Sequence, residues 1–233
     1  MNYPEKIIVG DRSFVVGYET VLKGTSSVRI KNGKILMKLS RFAVGRQRDE
    51  MVEKFLKWAQ KRISKMKVGE FFEPEYRDGG RIVFHNAVYD LRIKISARKN
   101  NRVLVQEGIV NAYVNEGADL KELIEKALVK EQTAYLREVL SELNQLHFQE
   151  KYNWVRFKRM NSRFGSCSSG RNINIAFRLL YAPREVFRYV CVHELAHLKQ
   201  MNHSKRFWAL VSEAMPNYKE SEKWLRDSGF LLG

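Results

Sequence analysis

Cysteine is almost missing from this chain, with two thiols, Cys167 and Cys191, in 233 residues. Two are too few for the disulfide framework that holds small secreted domains together. A chain with 44% hydrophobic and 12% aromatic residues has no need of one, because it can bury a core of its own. Long apolar runs are absent as well. No uncharged stretch approaches the roughly 18 residues that a membrane-spanning helix needs, and the opening MNYPEKIIVGDRSF has no basic segment followed by an apolar one. The expectation is a protein with reduced thiols, no membrane partner and a cytoplasmic location.

Negative charge is scarce relative to positive, with 26 Asp and Glu against 42 Lys and Arg and a formal net charge of +16. That excess makes nucleic acid a candidate partner. The plainer alternative is a generally basic surface, because the cations are spread along KRISKMK, RIKISARKNNR and RFKRM and are not gathered in one tail. No oligomeric state follows from the sequence.

Periodicity divides the chain. From Asp11 to about Leu39 short alternating apolar runs read as strands, with KNG as a hairpin turn between SVRI and KILMKL. RDEMVEKFLKWAQKRISKM then sets Met51, Phe55, Trp58 and Ile63 at helical spacing, an amphipathic helix to pack on those strands. RIVFHNAVYDLRIKISA and NRVLVQEGIVNAYV return to β-type alternation. A 3.6-residue period then runs through GADLKELIEKALVKEQTAYLREVLSELNQLHF, with Asp119 as N-cap. These changes place a boundary near Glu116, between a β-rich N-terminal domain with one amphipathic helix, residues 1–116, and a second domain, residues 117–233. The second domain continues with NWVRFKRM, a loop NSRFGSCSSG, a strand RNINIAFRLL and a helix opened by Pro183 that runs to about Lys199. No internal repeat or low-complexity tract is evident.

Histidine is also sparse, five in all, yet His193, His197 and His203 fall in one stretch, VCVHELAHLKQMNHSKRFW. Four residues apart on a helix, His193 and His197 project from one face, so two imidazoles can reach one ion. Glu194, the next residue round the helix, is placed to act as general base on a water activated by a bound Zn²⁺. Catalytic zinc sites usually have three protein ligands. His203 is the leading third donor, since LKQMN is long enough to end the helix and turn back, with Asn202 suited to a left-handed turn; Glu213 and Glu220 are the carboxylate alternatives. Gln200 stands where the longer HExxHxxGxxH pattern has its glycine. Cys191 points about 200° away from His193, and Cys167 has no base paired with it in the sequence. Histidine ligands also suit Ni²⁺ and other divalent transition metals.

The segments SRFGSCSSGRNINIAFRLLYAP, VCVHELAHLKQMNHSKRFWALV and MPNYKE resemble the YgjP-like metallopeptidases, which are similar in their metal motif to the SprT-like and WLM proteases. The resemblance implies an α+β fold, a β-rich N-terminal region followed by a zincin-like catalytic domain with an HExxH helix. It implies His193, His197 and His203 as metal ligands and Glu194 as catalytic base. It also implies that the strand in RNINIAFRLL walls the cleft and pairs with an extended substrate. Arg163, Asn174, Arg178 and Tyr181 are candidates for substrate or oxyanion contact by nearness in sequence, with Asn174, Arg178 and Tyr181 taken as substrate-binding. Met215 before Pro216 reads as an ordinary core residue and stop signal, and Phe207 with Trp208 as core packing. The expected function is a zinc metallopeptidase acting on a peptide or protein. The alternatives are a basic nucleic-acid-associated protein with a structural metal and an amide hydrolase acting on a non-protein substrate.

Overall fold

The structure, a computed structural model, describes residues 3–9, 12–31, 34–64, 74, 76–96, 100–160 and 162–232. The chain forms two compact units, Met1–Glu73 with Leu225–Gly233, and Pro74–Trp224. Among the described residues no helix is long and apolar enough to cross a membrane.

The first unit holds β1 (Lys6–Val9), β2 (Arg12–Val21), β3 (Ser27–Lys31), β4 (Lys34–Ser40) and α1 (Gly45–Ser64). The strands lie in the order β1-β2-β4-β3, two antiparallel hairpins whose inner strands β2 and β4 pair in parallel. Period-two alternation sends Phe14, Val16, Ile35, Met37 and Leu39 to one face, where Val52, Ala59 and Ile63 of α1 cover them. Of the expected stripe, Ile63 is buried in this core and Phe55 packs against it, whereas Trp58 is 42% exposed and the small Ala59 is buried in its stead. Lys31 stands opposite Lys34 as the expected hairpin requires. The turn residues Asn32 and Gly33, and Lys65 and Met66 of the expected helix, lie outside the described residues.

The second unit begins with β5 (Arg81–Val83), β6 (Val88–Ile95), β7 (Arg102–Gln106), β8 (Ile109–Val114) and α2 (Leu120–Leu143). The order β5-β6-β8-β7, with β6 and β8 parallel, repeats the plan of the first sheet, and a helix again follows. This is an internal repeat of topology that the letters conceal. VRIKNGKILMKL and VLVQEGIVNAYV share little beyond two strands of alternating apolar residues and a turn glycine. In the second copy the turn is Glu107-Gly108, both at positive φ (50° and 74°), the conformation that a two-residue hairpin needs.

The division between units does not fall at residue 116, because β5–β8 are stitched into the helical part. The His85 amide donates to the Leu180 carbonyl (2.9 Å), and the His85 ring bridges the Ala182 carbonyl and the Tyr135 hydroxyl (3.1 and 3.0 Å). Gln132 of α2 accepts from Asn86 (2.7 Å) and donates to the Tyr89 hydroxyl (2.5 Å). Phe84 packs edge-on against Phe177. These side chains sit on or beside the β5–β6 turn, and burying them fixes that sheet to α2 and the segment after it.

α2 starts as its sequence indicates, with Asp119 Oδ1 accepting from the Glu122 amide (2.9 Å), and a π-helical turn, Asn144–Phe148, follows it. A third sheet has the order β10-β11-β9, built from β9 (Trp154–Lys158), β10 (Gly165–Cys167) and β11 (Asn172–Ala176). The expected strand RNINIAFRLL is strand only as far as Ala176; Phe177–Tyr181 form a 3-10 turn that buries Phe177, Leu179 and Leu180. Helices α3 (Arg184–Ala196), α4 (Lys205–Ala214) and α5 (Tyr218–Ser228) complete the chain.

Candidate metal centre

α3 is buried on most sides, through Val186, Phe187, Val190, Cys191, Leu195 and Ala196 among others, so it is a rigid carrier for polar side chains at its C-terminal end. Its α-helical hydrogen bonding stops at Ala196, one turn short of the expected Lys199, with His197 as C-cap. Leu198 and Lys199 then donate to the Leu195 and Ala196 carbonyls (2.9 and 3.1 Å), a tightened last turn that swings the chain back.

That reversal brings the three histidines together. Their rings have centroids 4.9 Å (His193–His197), 5.0 Å (His193–His203) and 4.8 Å (His197–His203) apart, and one ring nitrogen from each lies within 4.8 Å of the others. Phe207 of α4, fully buried, touches all three at 4.6–4.8 Å and forms the floor beneath them. Trp208 stacks on His203, and Tyr218 stacks on Trp208.

The reversal needs no left-handed residue. Among the described residues the non-glycine positions at positive φ are Glu107, Gln149 and Arg171, so neither Gln200 nor the expected Asn202 is one of them. The Gln200 side-chain Nε2 donates to the Asn202 side-chain oxygen (2.6 Å), which braces the turn. The Gln200 carbonyl faces His197 Nδ1 at 3.1 Å. A carbonyl can only accept, so Nδ1 carries the proton and Nε2 keeps its lone pair.

Burial holds the His193 imidazole down to about 3, helped by the neighbouring His197 and His203, and lowers His197 as well. Both are neutral donors at ordinary pH. His203 Nε2 and His193 Nε2 face each other at 3.0 Å. Two ring nitrogens at that distance repel unless a proton or a cation lies between them. The spacing is also close to the edge, about 3.3 Å, of a tetrahedron with metal–nitrogen bonds of about 2.0–2.1 Å. The residues present therefore fit a divalent transition metal.

Glu194 sits beside this cluster and is 4% exposed. Its Oε2 is buried without a hydrogen-bond partner among the described residues, and desolvation pushes its carboxyl up to about 8, with the charge of Arg163 opposing. It is pressed against Gly165 of β10, where a Cβ would lie 2.4 Å from Oε1. The segment NSRFGSCSSG, expected as a loop, contains β10, so only the tertiary structure shows Gly165 to be a strand glycine at a close approach.

The three residues expected to contact substrate each have partners of their own. Asn174 is on the opposite face of β11 from the buried Ile173 and Ile175, accepting from Arg156 (3.0 Å) and donating to Ser166 (3.1 Å). Tyr181 is drawn into the interior, its hydroxyl 3.3 Å from that of Tyr76 and its pKa raised by burial. Arg178 stacks on Phe164 at 4.3 Å and donates to the Arg163 carbonyl (3.2 Å), so it supports the Arg163 backbone. Asn174 thus lies on the solvent side of β11, whereas Arg178 adjoins Arg163, whose charge reaches Glu194. β11 cannot pair with a substrate, because β10 and β9 occupy both of its edges; among the described residues the outer edges of β10 and β9 have no paired strand, and that of β10 is the one beside Glu194. Glu213 and Glu220 are exposed and outside the histidine cluster. Cys191 is fully buried, and the Cys167 thiol is pushed up to about 11 by burial and by Glu194. Met215 caps α4, its amide donating to the Val211 carbonyl (2.9 Å).

The model of a family described as YgjP-like, metallopeptidase domain, matches residues 25–228. Among curated proteins, the UTP pyrophosphatase of Escherichia coli (strain K12) is 36% identical over 58 residues, 25% of this chain and 35% of that protein, so the match spans about a third of the relative's length. Two solved structures are similar: the metallopeptidase zymogen of Pyrococcus abyssi abylysin (TM-score 0.37, 23% identity, 40% of this chain and 94% of that one) and that of Methanocaldococcus jannaschii jannalysin (TM-score 0.34, 21% identity, 39% and 92%).

Proposed function

The chain belongs to the YgjP-like metallopeptidase family, and from that premise we propose that it is a zinc-dependent peptidase in which His193, His197 and His203 hold the ion and Glu194 is the general base. The observation that carries this reading is the pairing of three converging imidazoles with a buried carboxylate whose Oε2 lacks a partner.

A zinc ion bound there supplies Lewis acidity, lowering the pKa of a water from about 15.7 to about 7. The chain's own groups do the rest. Glu194 takes the proton as the water oxygen bonds to the scissile carbonyl carbon, then delivers it to the amine nitrogen as the C–N bond breaks. Gly165 packs against the carboxylate and fixes its position, and the Gln200 carbonyl fixes the His197 tautomer. The open edge of β10 offers main-chain groups to an extended peptide directly beside Glu194.

A second reading keeps the residues and changes the substrate to a nucleoside triphosphate. It draws on the partial match to a UTP pyrophosphatase and on the cationic surroundings, with Arg163 acting on Glu194 and a net charge of +16. Water would attack a phosphorus atom and pyrophosphate would leave. One experiment separates the two: metal-loaded wild type and Glu194→Gln are each incubated with a diverse peptide library, read by mass spectrometry, and with UTP, read by chromatography of UMP and pyrophosphate. Peptide cleavage by the wild type alone supports the first reading, UTP hydrolysis by the wild type alone supports the second, and turnover of neither overturns both.

A further inference from the structure

We propose that the outward face of the β9–β11–β10 sheet docks single-stranded nucleic acid. The proposal is independent of the function assigned to the metal centre, since Glu194 meets the other face of the sheet at Gly165.

The strand sequence WVRFK sends Val155 and Phe157 into the core and leaves Trp154, Arg156 and Lys158 outside. In register, Trp154 lies beside Asn172 and Arg156 beside Asn174, and Asn174 is in turn paired with Ser166. Hydrogen bonds run across this face from Arg156 to Asn174 (3.0 Å) and from Asn174 to Ser166 (3.1 Å). The Arg156 guanidinium lies 4.5 Å from the centre of the Trp154 ring. That contact holds both groups in place, while Trp154 stays 40% exposed.

The chemistry selects the partner. Strands β9, β10 and β11 contain no Asp or Glu, so they bring cations, amides and a hydroxyl to the face; the carboxylates that share a cavity with Arg156 and Lys158 are Glu122 and Glu125 of α2, and Glu125 is already paired with Arg159 (2.6 Å). Glu150, at its margin, is already paired with Arg171. An exposed indole beside a guanidinium is a stacking platform for flat bases, and Arg156 with Lys158 neutralises phosphates. A duplex hides the faces of its bases, so the platform favours a single strand.

The test uses the full chain and fluorescence anisotropy with a labelled oligothymidylate, the matching duplex, and labelled heparin, a polyanion without bases. The wild type should bind the single strand more tightly than the duplex. Trp154→Ala should weaken that binding about tenfold and leave heparin binding unchanged, whereas Trp154→Phe should stay within about threefold of the wild type. Arg156→Ala with Lys158→Ala should flatten the logarithmic salt slope by about 1.4, two contacts at about 0.7 each. Glu194→Gln should bind like the wild type. Failure of the wild type to bind, equal affinity for the duplex, wild-type affinity in Trp154→Ala, or an equal loss of heparin binding in that variant would each overturn the proposal. Trp154 is exposed, so its variants should keep the melting temperature of the wild type and the comparison stays one of binding.

Discussion

Gly165→Ala is a sharp test of how Glu194 is held. The added methyl would lie 2.4 Å from Oε1, 2.7 Å from Cγ and 2.8 Å from Cδ of Glu194. Ordinary contact to carbon is about 3.5–4.0 Å, so the overlap is about 1 Å. The β10 backbone is held by its pairing with β11, Gly165 opposite Ile175, and α3 is packed in the core, so the carboxylate is the part that yields. A displacement of about 1 Å at the reacting groups costs on the order of 10²-fold in rate, about 2.7 kcal/mol in activation free energy. Stability should hold, because Gly165 does not have positive φ and alanine in a strand interior is better tolerated than glycine by about 0.5–1 kcal/mol. The assay is kcat/KM of the metal-loaded variant on whichever substrate the wild type turns over, with metal content and melting temperature measured alongside. In a Glu194→Gln background the same change should cost almost nothing further, because the group it displaces is already disabled. Activity within about threefold of the wild type would refute the reasoning, as would a loss of activity matched by a loss of folded protein.

Glu194→Gln should retain its metal and lose about 10²–10⁴ in rate. In the metal-free protein the folded Glu194 carboxyl, at about 8, keeps a proton that the unfolded chain releases from 4.5 upward, so wild-type stability should fall as pH rises through that window. The Gln variant should not show this fall, and urea midpoints at the two ends of the window check it. Chelation should lower the wild-type melting temperature, since an ion at 100 times its Kd contributes about 2.7 kcal/mol, and His203→Ala should abolish that response; a wild type indifferent to chelator would refute the metal site. Phe187→Ala removes a fully buried ring packed against His85 and Tyr135 and should cost about 3–5 kcal/mol by denaturant unfolding.

What the sequence determined by itself was local. His193, Glu194 and His197 share a helix, so the spacing alone sets their relative directions, and the Asp119 cap depends on residues three apart. His203 was legible because only a few residues separate it from that helix. The tertiary structure decided everything that joins distant segments. It set Gly165 against Glu194, placed β11 between two partners, and tied the β5–β6 turn to α2 through His85, Asn86 and Gln132. The partners of Asn174, Arg178 and Tyr181 follow the same rule, since the pairing of β11 with strands on both sides and the 3-10 turn after it decide them. Helical geometry repeats over four residues and can be read from a string, whereas a sheet edge or a close approach exists only once remote segments have packed.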